Sequence, residues 1–197
     1  MDFAFNAAQD ELRRLARRVA DQEIRPVAAH HDQTQEFPRA VLERIHAAGL
    51  FNVTLPESVG GLGLSALEDS IITEELSAAC AGIALALTAN TLALTPIAIG
   101  ADDGQKERFL RPFAESFRLA AFGLTEPDAG SDARALSTRA HRDGDHYVLQ
   151  GRKRFITNAG VADLYTIFAS VDGTPDGITC FAVERGTKGL SAGRKRA

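Results

Sequence analysis

Apolar positions in roughly the first 117 residues recur at helical spacing. Leu12, Leu15, Ala16, Val19 and Ala20 share one face, Asn6 with Gln9 three positions on forms a capping-box variant ahead of them, and Pro26 closes the segment. A second short helix is expected over residues 38–48, stopping at Gly49. The stretch LPESVGGLGLSALEDSIITEELS opens as a Pro/Gly loop and turns helical from Ser65, with Leu67, Ser70, Ile71 and Glu74 on successive turns. Residues 76–101 carry no charge and predict a helix buried on all sides, broken near Gly100. DDGQKERFLRPFAES predicts one more helix, with Asp102 or Asp103 as its cap.

The period then changes. RLAAFGLT, STRAHRD, DHYVLQGRKRFITNA, DLYTIFASV and GITCFAVER are short, rich in β-branched and aromatic residues, and separated by turns such as Asp143-Gly144-Asp145 and Asp172-Gly173-Thr174-Pro175. His146, Val148 and Gln150 alternate with Tyr147 and Leu149. Helices first and about five strands after predict an α+β chain: an all-helical domain over 1–117, then an incomplete antiparallel β domain over 118–197.

Composition changes this picture little. With 45% hydrophobic and 24% charged residues and a net charge of -4, the chain resembles an ordinary soluble protein and offers no basis for nucleic acid or an anionic membrane as partner. Residues 76–101 are long enough to cross a bilayer. Their Ala/Thr content, Asn90, Pro96 and the acidic flanks Glu74, Glu75, Asp102 and Asp103 argue instead for a core helix and no membrane span. MDFAFNAAQDELRRL lacks a charged-then-apolar signal layout, and Cys80 and Cys180 stand alone in apolar surroundings, as reduced thiols of a cytoplasmic protein do.

Three candidate chemistries fail on their own residues. Gly61-Leu62-Gly63-Leu64-Ser65-Ala66 matches G-x-G-x-x-A after the strand-like FNVTL, but Pro56-Glu57-Ser58 intervene and only helix follows; a tight inter-helix loop is the better reading. The five histidines show no metal-ligand spacing, and Ser131, in AGSD, is no nucleophile elbow. The stretch FGLTEPDAGSD, residues 122–132, remains. Its Gly, Pro, Asp and Ser are turn formers, and for Glu126 and Asp132 a cap or turn role is the preferred reading.

FGLTEPDAGSD resembles the signature of the acyl-CoA dehydrogenases, with Gly123, Leu124, Thr125, Glu126, Gly130, Ser131 and Asp132 in its fixed places. KRFITNAG, residues 153–160, is similar to the family's second flavin-contacting segment, and LPESVGGLGL, ITEEL and GLSAGRK match family stretches in order, so the resemblance covers nearly the whole chain. It implies FAD as cofactor, an acyl-CoA substrate, and electron-transfer flavoprotein or another acceptor as partner. An isoalloxazine ring needs donors along its N1–O2–N3–O4–N5 edge and a flat side chain against a face. The resemblance assigns the edge to backbone amides of Phe122, Gly123, Leu124 and Thr125 and to the Thr125 and Thr157 hydroxyls, which are expected to converge. Phe155, where the family often has Trp, and Ile156 belong to the second segment; Gly130 and Ser131 approach the pyrophosphate, and Ser131 also reaches the thioester. Thr88, Ala89 and Leu92 align with the family's acyl-pocket lining, although core packing explains them equally well.

The family's α-proton base lies in a C-terminal helical domain that these residues do not match, so no catalytic residue is assigned. The implied activity is flavin-dependent α,β-dehydrogenation of an acyl-CoA, this chain being the N-terminal half of such an enzyme. A split-enzyme subunit, a non-catalytic flavin- or acyl-binding module, and a flavin oxidase or monooxygenase of the same fold are the alternatives. A homo-oligomer or a complementing partner chain is expected.

Overall fold

The computed structural model describes residues 4–171, 173 and 175–193. Three of its helices begin where two side chains close the first turn reciprocally. Asn6 and Gln9 start α1 (Ala7–Val19), Ser65 and Glu68 start α4 (Ala66–Ala79), and Asp102 and Gln105 start α6 (Asp103–Glu115). At α1 the bonds are 2.9 and 3.1 Å. The chain does not stop at the end of α1 but runs on through a π-helical turn, Ala20–Ile24, before Pro26. α2 (Ala28–Thr34) buries no residue, so no apolar period announces it. α3 (Arg39–Ala47) follows, and Cys80, in extended conformation at φ -162°, separates α4 from α5 (Ala81–Gly100).

Two faces differ from those expected. α4 buries Ile71, Ile72, Glu75 and Leu76, while Leu67 is exposed. α5 is buried on one side only. Ala84, Leu87, Asn90, Ala93 and Leu94 face inward, whereas Leu85, Leu92 and Ile99 are 54%, 52% and 79% exposed. A helix that is apolar all round has no preferred face along its sequence, so its composition does not reveal which stripe is covered. Among the described residues α5 is the one helix long and apolar enough to cross a membrane, and half of that window is buried against the rest of the chain.

FNVTL forms turns rather than a strand. Gly61 then packs so close to Leu55 that a Cβ would lie 2.1 Å from its carbonyl oxygen. No strand runs into the glycines, as the rejected dinucleotide motif would need.

All five expected strands form: β1 (Ala120–Gly123), β2 (Arg139–Asp143), β3 (His146–Gln150), β4 (Leu164–Val171) and β5 (Ile178–Glu184). The sheet is mixed, however, and not purely antiparallel. β4 is central, with β5 antiparallel on one side and, end to end on the other, β1 (Ala120↔Leu164 to Gly123↔Ile167) and β2 (Arg139↔Ser170, Ala140↔Val171), both parallel to it. Chain connectivity supplies the reason. The long excursion from β1 to β4 allows a parallel return, whereas the short β2–β3 turn at Gly144 (φ +60°) forces an antiparallel pair. Of the turn expected at 172–175, positions 172 and 174 lie outside the described residues, as do 194 and 195 of GLSAGRK.

Two apolar clusters result. One unites α1, α3, α4 and α5; the other joins α5 and α6 to the sheet through Leu94, Ile97, Leu110, Phe113, Ala120 and Leu164.

Candidate functional site

Among the described residues β1 has a strand neighbour on one edge only, and at Ala120 two asparagines take the place of a second. The Ala120 N–H donates to Asn90 Oδ1 (2.6 Å), and its carbonyl accepts from Asn158 Nδ2 (3.1 Å). Asn90 is fully buried on α5 and also donates to Asn52 Oδ1 (3.1 Å) and the Arg118 carbonyl (3.0 Å). Asn158, in left-handed conformation at φ +65°, donates to the Ala86 carbonyl of α5 (2.9 Å) as well. One strand edge is thereby satisfied without a strand. The same bonds fix where the chain leaves β1 and where residues 152–160 pass beneath it.

The loop that follows β1 is held from within. Glu126 N–H donates to the Ala129 carbonyl (2.9 Å), closing a turn around Pro127. The Glu126 carboxylate is almost wholly buried and accepts from the Ser137 amide and hydroxyl (2.6 Å each), the Thr138 amide (3.0 Å) and hydroxyl, and Lys153 Nζ (2.7 Å). Burial alone would raise the carboxyl's pKa; the bonds from Lys153, Ser137 and Thr138 outweigh it and hold the group well below the usual carboxylate range. Burial pushes the Lys153 ammonium down, offset in part by Glu126. Asp132 accepts from the Arg134 amide and caps the short turn Ala133–Ala135. Both acids therefore shape turns.

The two motif segments touch. Arg154 N–H donates to the Thr125 carbonyl (2.8 Å), and Lys153 Nζ donates to the Leu124 carbonyl (3.0 Å). Thr125 and Thr157 are half-buried and Ser131 is exposed. Among the described residues, the hydroxyls of Thr125, Ser131 and Thr157 and the amides of Leu124, Thr125, Ser131 and Thr157 bond to no protein group. Phe155, at φ +59°, is 66% exposed beneath the Arg154 guanidinium, 4.5 Å from its ring centroid. Ile156 packs against the helical core, Phe122 against Phe168 (centroids 5.2 Å), and Gly123 is buried. Open space surrounds the Cα of Gly130.

On α5, Thr88 and Leu92 lie toward the open face, the Thr88 hydroxyl bonding its own helix at the Leu85 carbonyl (3.2 Å), while Ala89 is buried. A separate cavity of about 150 Å³ between α5 and the 52–55 turns is lined by Asn52, Thr54, Leu55, Thr91, Leu94, Thr95 and Ala98. None of these was expected at a site.

Several residues that organise the site give little sign of it in the sequence. Lys153 lies inside KRFITNAG, yet nothing in that motif suggests a role for it, and Ser137 and Thr138 carry no pattern. Asn90 does carry a signal beyond polarity: it is a lone amide in a charge-free helix, the kind of group that burial obliges to bond.

Residues 6–116 match the family model of the acyl-CoA dehydrogenase N-terminal domain, and residues 121–197 that of its middle domain. The chain belongs to the acyl-CoA dehydrogenase family. It is 39% identical to a short-chain specific acyl-CoA dehydrogenase of Clostridium acetobutylicum over 98% of its own length and 52% of that protein's. Its fold matches a chain in the structure of the electron transferring flavoprotein of Acidaminococcus fermentans (TM-score 0.92, 37% identity, 98% of this chain and 52% of that one). It also matches an acyl-CoA dehydrogenase complexed with FAD from Bacillus anthracis (TM-score 0.90, 31% identity, 98% and 33%). The chain spans about half the length of the curated relatives it matches.

Proposed function

We propose that this acyl-CoA dehydrogenase-family chain holds FAD and forms the flavin-facing half of an enzyme that dehydrogenates acyl-CoA thioesters at Cα–Cβ. One observation carries the reading: two loops, joined by the Arg154–Thr125 bond, present three hydroxyls and four amides that no protein group among the described residues uses. That donor set suits a flavin edge, which offers mainly acceptors. A fold shared with an FAD-complexed family member adds support.

In this reading Leu124, Thr125 and Thr157 donate to the ring edge. Phe155 and Ile156, with Phe122 and Gly123 at the end of β1, shape the space around it, and Gly130 and Ser131 face the phosphates. Thr88 and Leu92, with Ala89 beneath them, line the acyl side. When bound, FAD supplies an acceptor for the β-hydride of the thioester. Glu126 is no candidate for the base that takes the α-proton, because five donors already occupy its carboxylate. We further assign a domain division near residue 117, an electron-transfer flavoprotein-type acceptor, assembly as an oligomer or with a complementing chain, and a cytoplasmic location, with α5 a core helix rather than a membrane span. The match to a chain in an electron transferring flavoprotein structure supports the acceptor.

The test is an FAD titration of the purified chain followed by flavin fluorescence and visible absorbance. Weak but saturable 1:1 binding is expected, since part of the family's site lies in the half these residues do not match. Absence of saturable binding overturns the reading. A stoichiometric yellow protein with full acyl-CoA turnover overturns the division of labour instead.

A further inference from the structure

Lys153 is a nearly buried cation in a place where stability alone does not call for one. Its side chain is 10% exposed, and buried ion pairs are often replaceable by apolar residues at no net cost. Its two acceptors, the Leu124 carbonyl (3.0 Å) and the Glu126 carboxylate (2.7 Å), flank Thr125. No cis peptide occurs among the described residues, and in a trans peptide the carbonyl and the following N–H point in opposite directions. Capture of the Leu124 carbonyl by Lys153 therefore turns the Thr125 N–H away from Lys153, toward the side where no protein acceptor among the described residues meets it. The next peptide is fixed in the same manner: the Thr125 carbonyl accepts from Arg154 (2.8 Å), while the Glu126 N–H, on the other side, donates to Ala129 (2.9 Å).

Glu126 is a rigid anchor for this arrangement, since Ser137 and Thr138 hold its remaining lone pairs. Their approach depends on a missing side chain, because a Cβ on Gly151 would lie 2.3 Å from the Thr138 hydroxyl.

We infer that Lys153 is a positioning residue: by holding the Leu124 carbonyl it aims the Thr125 N–H at the edge of the bound flavin, and Glu126 keeps its ammonium in place. The inference rests on the flavin reading above. It concerns the orientation of one donor rather than the stability of the loop, and the two separate experimentally.

The experiment uses the full chain, with FAD as the probe, and reads the Kd by fluorescence quenching and the visible band of the bound flavin. Lys153→Met is expected to raise the Kd about five- to tenfold, the effect of one lost or misdirected hydrogen bond, and to return the band toward that of free FAD. Lys153→Arg, which keeps a charged donor, is expected to fall between Lys153→Met and wild type. Because Lys153→Met strands a buried carboxylate, the double variant Lys153→Met/Glu126→Gln removes both charges and is expected to fold with the same loss of affinity. Ser65→Ala, remote from both loops, lowers the Tm but leaves the Kd within about twofold of wild type. Wild-type Kd and band shape in a folded Lys153→Met or double variant overturn the inference. So does an equal loss in Ser65→Ala, which would make affinity a reflection of stability. A wild-type chain that binds no FAD overturns the flavin reading, and this inference with it.

Discussion

Replacing Asn90 with alanine removes the group that fastens α5 to the edge of β1. Three partners lose their bond together: the Ala120 amide, the Arg118 carbonyl and Asn52 Oδ1. Asn90 and Ala120 are fully buried, so the Ala120 amide has no water to turn to, whereas Arg118 is exposed and Asn52 borders the cavity beside α5. A buried polar group left unpaired costs about 1–3 kcal/mol, and a truncated side chain admits at most a partial replacement by solvent. A total loss of about 3–5 kcal/mol is expected, a large share of the stability of a domain this size. Guanidinium denaturation followed by far-UV circular dichroism measures it, provided that the transition remains a single one. The Tm should fall by about 8–15 °C. Asn52→Ala is the internal comparison. It frees the Phe113 carbonyl and one Asn90 donor, and it should cost less than half as much. A loss below about 1 kcal/mol for Asn90→Ala would refute the claim that its amide stands in for a strand.

The folded Glu126 carboxyl titrates below its ordinary value of 4.5, so its contribution is complete above that pH and is lost progressively as the pH falls beneath it. Stability measured from pH 6 to pH 2 should therefore fall less steeply in Glu126→Gln than in wild type, and an unchanged slope would count against the buried anion. Gly151→Ala places a Cβ against backbone-held Thr138 and should cost about 2–3 kcal/mol by urea denaturation; a neutral effect would show that the contact relaxes freely. Ser65→Ala removes the cap of α4 and should cost about 1 kcal/mol, seen as a Tm lower by about 2–4 °C in calorimetry.

Much of this fold was legible along the chain because local rules and tertiary contacts agree. The capping box at Asn6, the helix starts at Ser65 and Asp102, the five strands and the turn at Gly144 follow from residues within a few positions of one another. What escaped depends on distant partners. The parallel sense of β1 and β2 against β4 is set by a connection whose route no local pattern encodes. α2 has no apolar face, and α5 has apolar residues on every face, so periodicity fails at both for opposite reasons. At the candidate site, the signature marks two segments that the fold brings into contact, but not the bonds that join them. Lys153 and Glu126 are 27 residues apart, and Asn90 and Ala120 are 30 apart. Their roles arise only when the sheet brings them together.

Whether these two loops grip a flavin is answered by titrating the isotopically labelled 21.1 kDa chain with FAD and following its backbone amide resonances. The largest shifts are expected on Leu124, Thr125, Ser131 and Thr157. Shifts centred instead on the cavity residues Asn52, Thr54, Thr91 and Thr95, with those four amides unmoved, would contradict it.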